Sequence, residues 1–128
     1  MKIIILQEPI PKARARTIIR NGNVHSYTPK KTKEAEDFIR LYVRGLNLAK
    51  FAPGLPLAMS IDFYFTKPKS AKKRIYHTVK PDRTNLTKLV EDALNGVLYH
   101  DDSQIVRGYE SKQYGDPARI EIEIVEVK

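Results

Sequence analysis

Lys80-Pro81-Asp82-Arg83-Thr84-Asn85-Leu86-Thr87-Lys88-Leu89-Val90-Glu91-Asp92-Ala93-Leu94-Asn95-Gly96 decides both the fold and the candidate site, and it runs on through Val97-Leu98-Tyr99-His100 to Asp101-Asp102-Ser103-Gln104. Leu86, Leu89, Val90, Ala93 and Leu94 recur at helical spacing and Asn95-Gly96 stops the pattern, which predicts a helix over 84–94. Such a helix rises about 16 Å at ~1.5 Å per residue, whereas a strand rises about 3.3 Å per residue. With Val97-Leu98-Tyr99 as a short strand, the chain returns toward the helix start within a few residues and sets Asp101 or Asp102 beside Asp82. Carboxylates meeting in this way repel one another, and a hard cation such as Mg²⁺, which takes oxygen ligands, relieves the repulsion.

Asn85, Lys88 and Asp92 stand at i, i+3 and i+7 on the polar face of the same helix. Lys88 lies one turn in from the expected cation, where its ammonium would bind a scissile phosphate or stabilise charge developing on it; Asn85 would orient a carboxylate or a water. A plainer reading makes Lys88 and Asp92 an ordinary i, i+4 surface pair and Asp82 a helix cap. Spacing alone does not separate the two.

Working outward, Met1 to Leu6 is apolar and β-branched and suits a buried strand that ends before Pro9 and Pro11. Thr17 to Arg20 and Val24 to Tyr27 flank Asn21-Gly22, the signal of a β-hairpin with a type I′ turn. Ala35, Phe38, Ile39, Tyr42, Val43 and Leu46 give a first long helix from Thr32 to about Ala49. Leu57, Met59, Ile61, Phe63 and Phe65 alternate as in a half-buried strand. Gln104 to Gln113 and Ala118 to Val127 read as a closing hairpin around Tyr114-Gly115-Asp116-Pro117. The expected fold is a single α+β domain over 1–128, a mainly antiparallel sheet with two helices on one face.

A chain of 128 residues with 41% hydrophobic residues can bury one core. No apolar run approaches the roughly 18 residues of a membrane span, and the first six residues are too short for a secretory segment, so a soluble, cytoplasmic protein with no membrane partner is expected. The absence of cysteine rules out disulfides and thiolate metal sites. A net charge of +8 favours a polyanionic partner, foremost nucleic acid. Lys12, Arg14 and Arg16 project to one side of an extended segment, and Lys67, Lys69, Lys72, Lys73 and Arg74 crowd eight positions without an acid; both runs are candidate phosphate contacts. His77 is a further candidate for phosphate contact or proton transfer, against the plainer view that it is a surface residue. Tyr27, Tyr64, Tyr76 and Tyr99 either stack on exposed bases or pack half-buried on strands.

The string Lys-Pro-Asp-x-x-Asn-Leu-x-Lys, then Asp-Ala-Leu-Asn-Gly, then Asp-Asp-Ser-Gln-Ile, resembles the signature region of the RusA family of Holliday junction resolvases. Pro9 to Arg16 and Tyr27-Thr28-Pro29 extend the resemblance upstream. It implies a structure-selective endodeoxyribonuclease that resolves four-way DNA junctions in recombination and repair, as suits a phage or prophage. The implied cofactor is Mg²⁺, with Mn²⁺ as a substitute. Asp82 would be the first metal-binding carboxylate, Lys88 the catalytic lysine, Asp102 the carboxylate from the returning strand with Asp101 beside it, and Asn85 the asparagine of the motif. Thr84 departs from the pattern, since many members carry an aspartate there. Asp101, Glu91 or Asp92 would compensate, or Thr84 would act through a bound water. Paired cuts on strands of like polarity imply a symmetric homodimer. A flap or fork nuclease and a non-catalytic binder of branched DNA are the rival readings.

Overall fold

The computed structural model describes residues 1–13, 16–27 and 29–128, the side chains of residues 16, 26 and 27 excepted. The contacts expected of Arg14 and of the Arg16 side chain, the stacking expected of Tyr27, and Thr28 all lie outside the described residues. In chain order the elements are β1 (Lys2–Ile5), β2 (Arg16–Arg20), β3 (Asn23–Tyr27), α1 (Lys30–Gly45), β4 (Leu57–Phe65), α2 (Arg83–Leu94), β5 (Ile105–Tyr114) and β6 (Arg119–Glu126). Short 3-10 turns occupy Lys69–Ala71 and Asp102–Gln104.

Strict alternation makes β4 the central strand: Leu57, Met59, Ile61, Phe63 and Phe65 are buried, and the residues between them are half-buried. The sheet order is β1-β6-β4-β5, with β6 antiparallel to both neighbours and β5 parallel to β4. The buried side of the sheet adds Ile3, Ile5, Ile120, Ile122 and Ile124. Against it lie Ala35, Ile39 and Val43 of α1 and Leu86, Leu89, Val90, Ala93 and Leu94 of α2. The expected α+β domain, with two helices covering one face of a mainly antiparallel sheet, is the observed one. Each large aliphatic side chain in this layer contributes about 1.5–3 kcal/mol by leaving water.

Asn21 (φ 51°) and Gly22 (φ 78°) supply the two positive φ angles of the turn between β2 and β3, which pair outside the main sheet. Four expectations need correction. The closing hairpin does not form, because β4 lies between β5 and β6. The β5 connection is instead the crossover through α2 that parallel neighbours require. To reach β6, the chain crosses the end of β4, and Gly115 permits this: a Cβ there would sit 2.6 Å from Tyr64 Cδ1. Val97-Leu98-Tyr99 is a turn rather than a strand, closed by Val97 N–H donating to Leu94 O (2.9 Å) and Gly96 N–H to Tyr99 O (2.9 Å). Its Leu98 and Tyr99 side chains are core residues. The first helix stops at Gly45, before Asn47 at φ 52°, and leaves Phe38, Tyr42 and Leu46 of the expected stripe exposed. Strand β1 is only half-buried, with Ile4 exposed between Ile3 and Ile5.

Candidate active site and nucleic-acid face

Strand β5 holds the segment leading into α2 through successive contacts. Tyr114 N–H donates to Ile75 O (2.8 Å) and His77 N–H to Lys112 O (3.0 Å). Lys112 Nζ donates to Val79 O (2.7 Å) and Pro81 O (2.6 Å). Arg83 Nε meets Glu110 Oε1 at 3.2 Å. These contacts fix the backbone on both sides of Asp82. Asp82 occupies the N-cap position of α2 in extended conformation, yet its carboxylate makes no capping hydrogen bond, and the first turn of the helix carries no acid. The exposed carboxylate is therefore not used to close the helix, as the plainer reading supposed. It opens on a cleft shared with Lys12, Lys80 and Asn85. Thr84 and Asn85 are exposed on the first turn.

The two aspartates at 101 and 102 are put to different uses. Asp101 forms a capping box with Gln104 and accepts a hydrogen bond from Ser103 Oγ. Gln104 is buried; its Oε1 accepts from His100 N (2.9 Å) and Asp101 N (3.2 Å), and its Nε2 donates to Ala52 O (2.9 Å) and Leu55 O (3.1 Å). This anchors the turn and leaves Asp102, half-buried, as the uncommitted acid. Burial raises the Glu91 carboxyl above its ordinary range, and the negative charge of Asp102 raises it further. Tyr99 donates its buried hydroxyl to the backbone carbonyl of Glu91 (2.7 Å). Lys88 is held protonated, chiefly by its hydrogen bond to Asp92 and then by the charges of Asp92, Asp102 and Glu91. Among the described residues no three of His, Asp and Glu gather closely enough to hold a metal by themselves.

Asp92 is bracketed by two lysines, Lys88 at 3.3 Å and Lys12 at 3.4 Å. Lys12 also pairs with Glu36 of α1, and its backbone N–H donates to Asn85 O (2.8 Å). Burial opposes the charge on Lys12, but the Glu36 hydrogen bond and the two carboxylates outweigh it and raise its pKa. The Lys12 ammonium thus joins the two helices, with 26% of its side chain still exposed. Arg40, which sequence spacing did not single out, donates to Asp92 O (2.9 Å) and Ala93 O (3.2 Å) and satisfies carbonyls near the end of α2.

Lys67, Lys69, Lys72, Lys73 and Arg74 are exposed, and among the described residues none pairs with a carboxylate. His77 is not the surface residue that its basic surroundings suggest. It is 8% exposed and stacks on Phe65 with ring centroids 3.8 Å apart. Burial lowers its pKa, and Lys112 lowers it further. Of the tyrosines expected to meet bases, Tyr99 is buried, Tyr64 lies under Arg119 (3.7 Å), and Tyr76 is exposed.

The chain is similar to known proteins along nearly its whole length. The family described as Endodeoxyribonuclease RusA matches residues 7–125. The uncharacterized protein YqaN of Bacillus subtilis (strain 168) is 36% identical over 138 aligned residues, spanning 99% of this chain and 96% of that protein. Crossover junction endodeoxyribonuclease rusA of Lactococcus phage r1t is 36% identical over 78 residues, 60% of each chain. With the match running from Gln7 into β6, the chain belongs to the RusA family of endodeoxyribonucleases.

Proposed function

We propose that the protein is a Mg²⁺-dependent, structure-selective endodeoxyribonuclease that resolves four-way DNA junctions by phosphodiester hydrolysis, acting in recombination and repair within a bacterial host cell. The observation that carries this reading is Lys88, held 3.3 Å from Asp92 on the helix that begins at the uncapped carboxylate of Asp82, in a chain whose residues 7–125 match the RusA family. Mg²⁺ is commonly held by one or two carboxylates, with waters and substrate phosphates completing its shell, so two acids without a third are a fitting donor set. Asp82 and Asp102 are the assigned ligands, with Glu91 adding negative charge beside Asp102 where the neutral Thr84 adds none. Asp101, engaged with Ser103 and Gln104, is assigned to hold the turn that carries Asp102 rather than to bind. Once bound, Mg²⁺ (or Mn²⁺) would supply an activated water and neutralise phosphate charge.

Lys88, protonated, donates to a phosphate oxygen and stabilises the charge that develops there; it does not act as the base. Asn85 orients the attacking water from the first turn of α2. Two cuts related by a two-fold axis call for a homodimer. The exposed stripe of Phe38, Leu41 and Tyr42 on α1, continued by Leu46 at its end, is the surface assigned to the second copy. The name of the Lactococcus phage relative supports the junction as substrate and a phage or prophage setting.

The deciding experiment incubates labelled four-way junction, flap and fork substrates with and without Mg²⁺. Symmetric paired nicks in the junction, dependent on metal, are expected; preferential cutting of flaps or forks would replace the substrate. Thr84 favours one second reading, a binder of branched DNA without catalysis. Such a protein would bind junctions equally well in EDTA and nick nothing at any Mg²⁺ or Mn²⁺ concentration.

A further inference from the structure

Beyond the ends of β4 and β5, three chain segments enclose a cleft of about 510 Å³ lined by Thr66, Lys67, Arg74, Ile75, Tyr114 and Asp116. Its walls are tied together by backbone hydrogen bonds from Tyr114 N to Ile75 O (2.8 Å) and from Gly115 N to Phe65 O (3.0 Å). Glu8 holds the Thr66 wall, accepting from its N–H (3.2 Å) and its hydroxyl (2.8 Å). Tyr114 is steadied from behind, edge-on to His77 at 5.4 Å, and His77 in turn stacks on Phe65. The cleft is therefore preformed, and its volume falls within the range of about 300–1,000 Å³ typical of small-ligand sites.

Its chemistry is divided. Ile75, 65% exposed, and Tyr114 offer apolar and aromatic surface, while Lys67 and Arg74 belong to a run of five cations with no carboxylate partner among the described residues. A phosphate alone would leave the apolar surface wet, and a purely apolar ligand would leave the cations unanswered. A nucleotide answers both. Paired bases in a duplex are stacked on their neighbours and cannot turn a face to Tyr114, so the nucleotide must be unstacked. Asp116 on the rim repels a phosphate and accepts hydrogen bonds from a base, which favours one orientation of the guest.

We infer that this cleft takes one unpaired nucleotide of a DNA strand at a branch point, its base against Tyr114 and Ile75 and its phosphate on Lys67 and Arg74. The inference rests on the reading of the protein as a DNA enzyme, and it adds a second contact outside the acidic site. An oligothymidylate carrying a single 5-iododeoxyuridine, irradiated with the full-length protein in EDTA, tests it. Crosslinked peptides containing Tyr114 are expected. Ile75→Asp and Arg74→Ala should each weaken binding of the oligothymidylate by at least about fivefold while changing duplex binding far less. Both side chains are exposed, so an unchanged melting temperature is the folding control. Crosslinks confined to other peptides, or oligothymidylate binding by Ile75→Asp equal to wild type, would overturn the inference. A wild type that cleaves no junction but still crosslinks at Tyr114 supports the cleft and removes only the catalytic reading.

Discussion

Two groups of cations on this molecule differ in their company. Lys12 and Lys88 close on Asp92 from either side, at 3.4 and 3.3 Å, whereas the five cations of residues 67–74 have no carboxylate partner among the described residues. A cation with a fixed partner is held at one point, as a group acting on one phosphate must be. A cation without one keeps its attraction for any polyanion and gives up mobile counterions on binding. The Lys88–Asp92 pair is also more than half exposed on the lysine side, so it adds little to stability.

The largest effects are expected from removing the carboxylates assigned to the site that Lys88 serves. Asp102→Asn and Asp82→Asn should each lower the cleavage rate by on the order of a hundredfold or more while leaving junction binding in EDTA as strong as wild type or stronger. Asp101→Asn is the control: it disturbs a capping box, costs about 1 kcal/mol in chemical denaturation, and should retain most cleavage. A mutant at 102 that still cuts at the wild-type rate would take that residue out of the site. Lys88→Ala should lose at least about tenfold in single-turnover rate with the melting temperature unchanged. If it chiefly lowers the melting temperature, Lys88 serves only as a helix-surface partner.

The free group should respond to salt. Removing Lys72, Lys73 and Arg74 together should flatten the plot of log affinity against log salt by about 0.9 for each phosphate that is no longer neutralised. Lys12→Ala should leave that slope nearly intact and instead destabilise the fold by roughly 1.5–3 kcal/mol, since it frees two partly buried carboxylates from one ammonium. The reverse result would show that Lys12 meets the DNA and that the loop does not.

Much of this arrangement was legible in the sequence because it depends on local periodicity. The stripe from Leu86 to Leu94, the alternation from Leu57 to Phe65 and the Asn21-Gly22 turn are each specified within a few residues of themselves. What failed depends on distant competition. Strands β5 and β6 alternate well and are joined by a short turn, yet β4 offers each of them an apolar strand to pair with and separates them. Leu98 and Tyr99 have strand-like side chains, but the core takes them from a turn. The candidate site could be named from the sequence as a set of residue types, while the different contacts of Asp101 and Asp102 could not. That difference depends on Gln104 reaching back to the loop at Ala52 and Leu55. The burial of His77 could not be foreseen from neighbours as cationic as Lys73, Arg74 and Lys80.

His77 yields the smallest predicted effect and the clearest sign. Its ring is stacked in the core, and its buried Nδ1 has no hydrogen-bond partner among the described residues. Burial, followed by the charge of Lys112, pushes its pKa below the ordinary value of 6.5. Well above pH 6.5 the imidazole is neutral in both folded and unfolded chains and contributes no pH dependence. As the pH falls below that value, the unfolded chain takes up a proton that the folded chain resists, and stability is lost progressively down through the folded pKa. His77→Phe keeps an aromatic ring against Phe65 and removes the titration. The melting temperature of the wild type should therefore fall more steeply than that of His77→Phe between pH 7.5 and 5. Glu91 acts in the opposite direction, because a carboxyl whose pKa is raised on folding favours the folded state at low pH and loses that contribution as pH rises. Glu91 is present in both proteins, so the difference between their profiles isolates the histidine. Parallel profiles would mean that the folded chain accepts the proton on His77 as readily as the unfolded chain does, and that the ring is not sealed within the core.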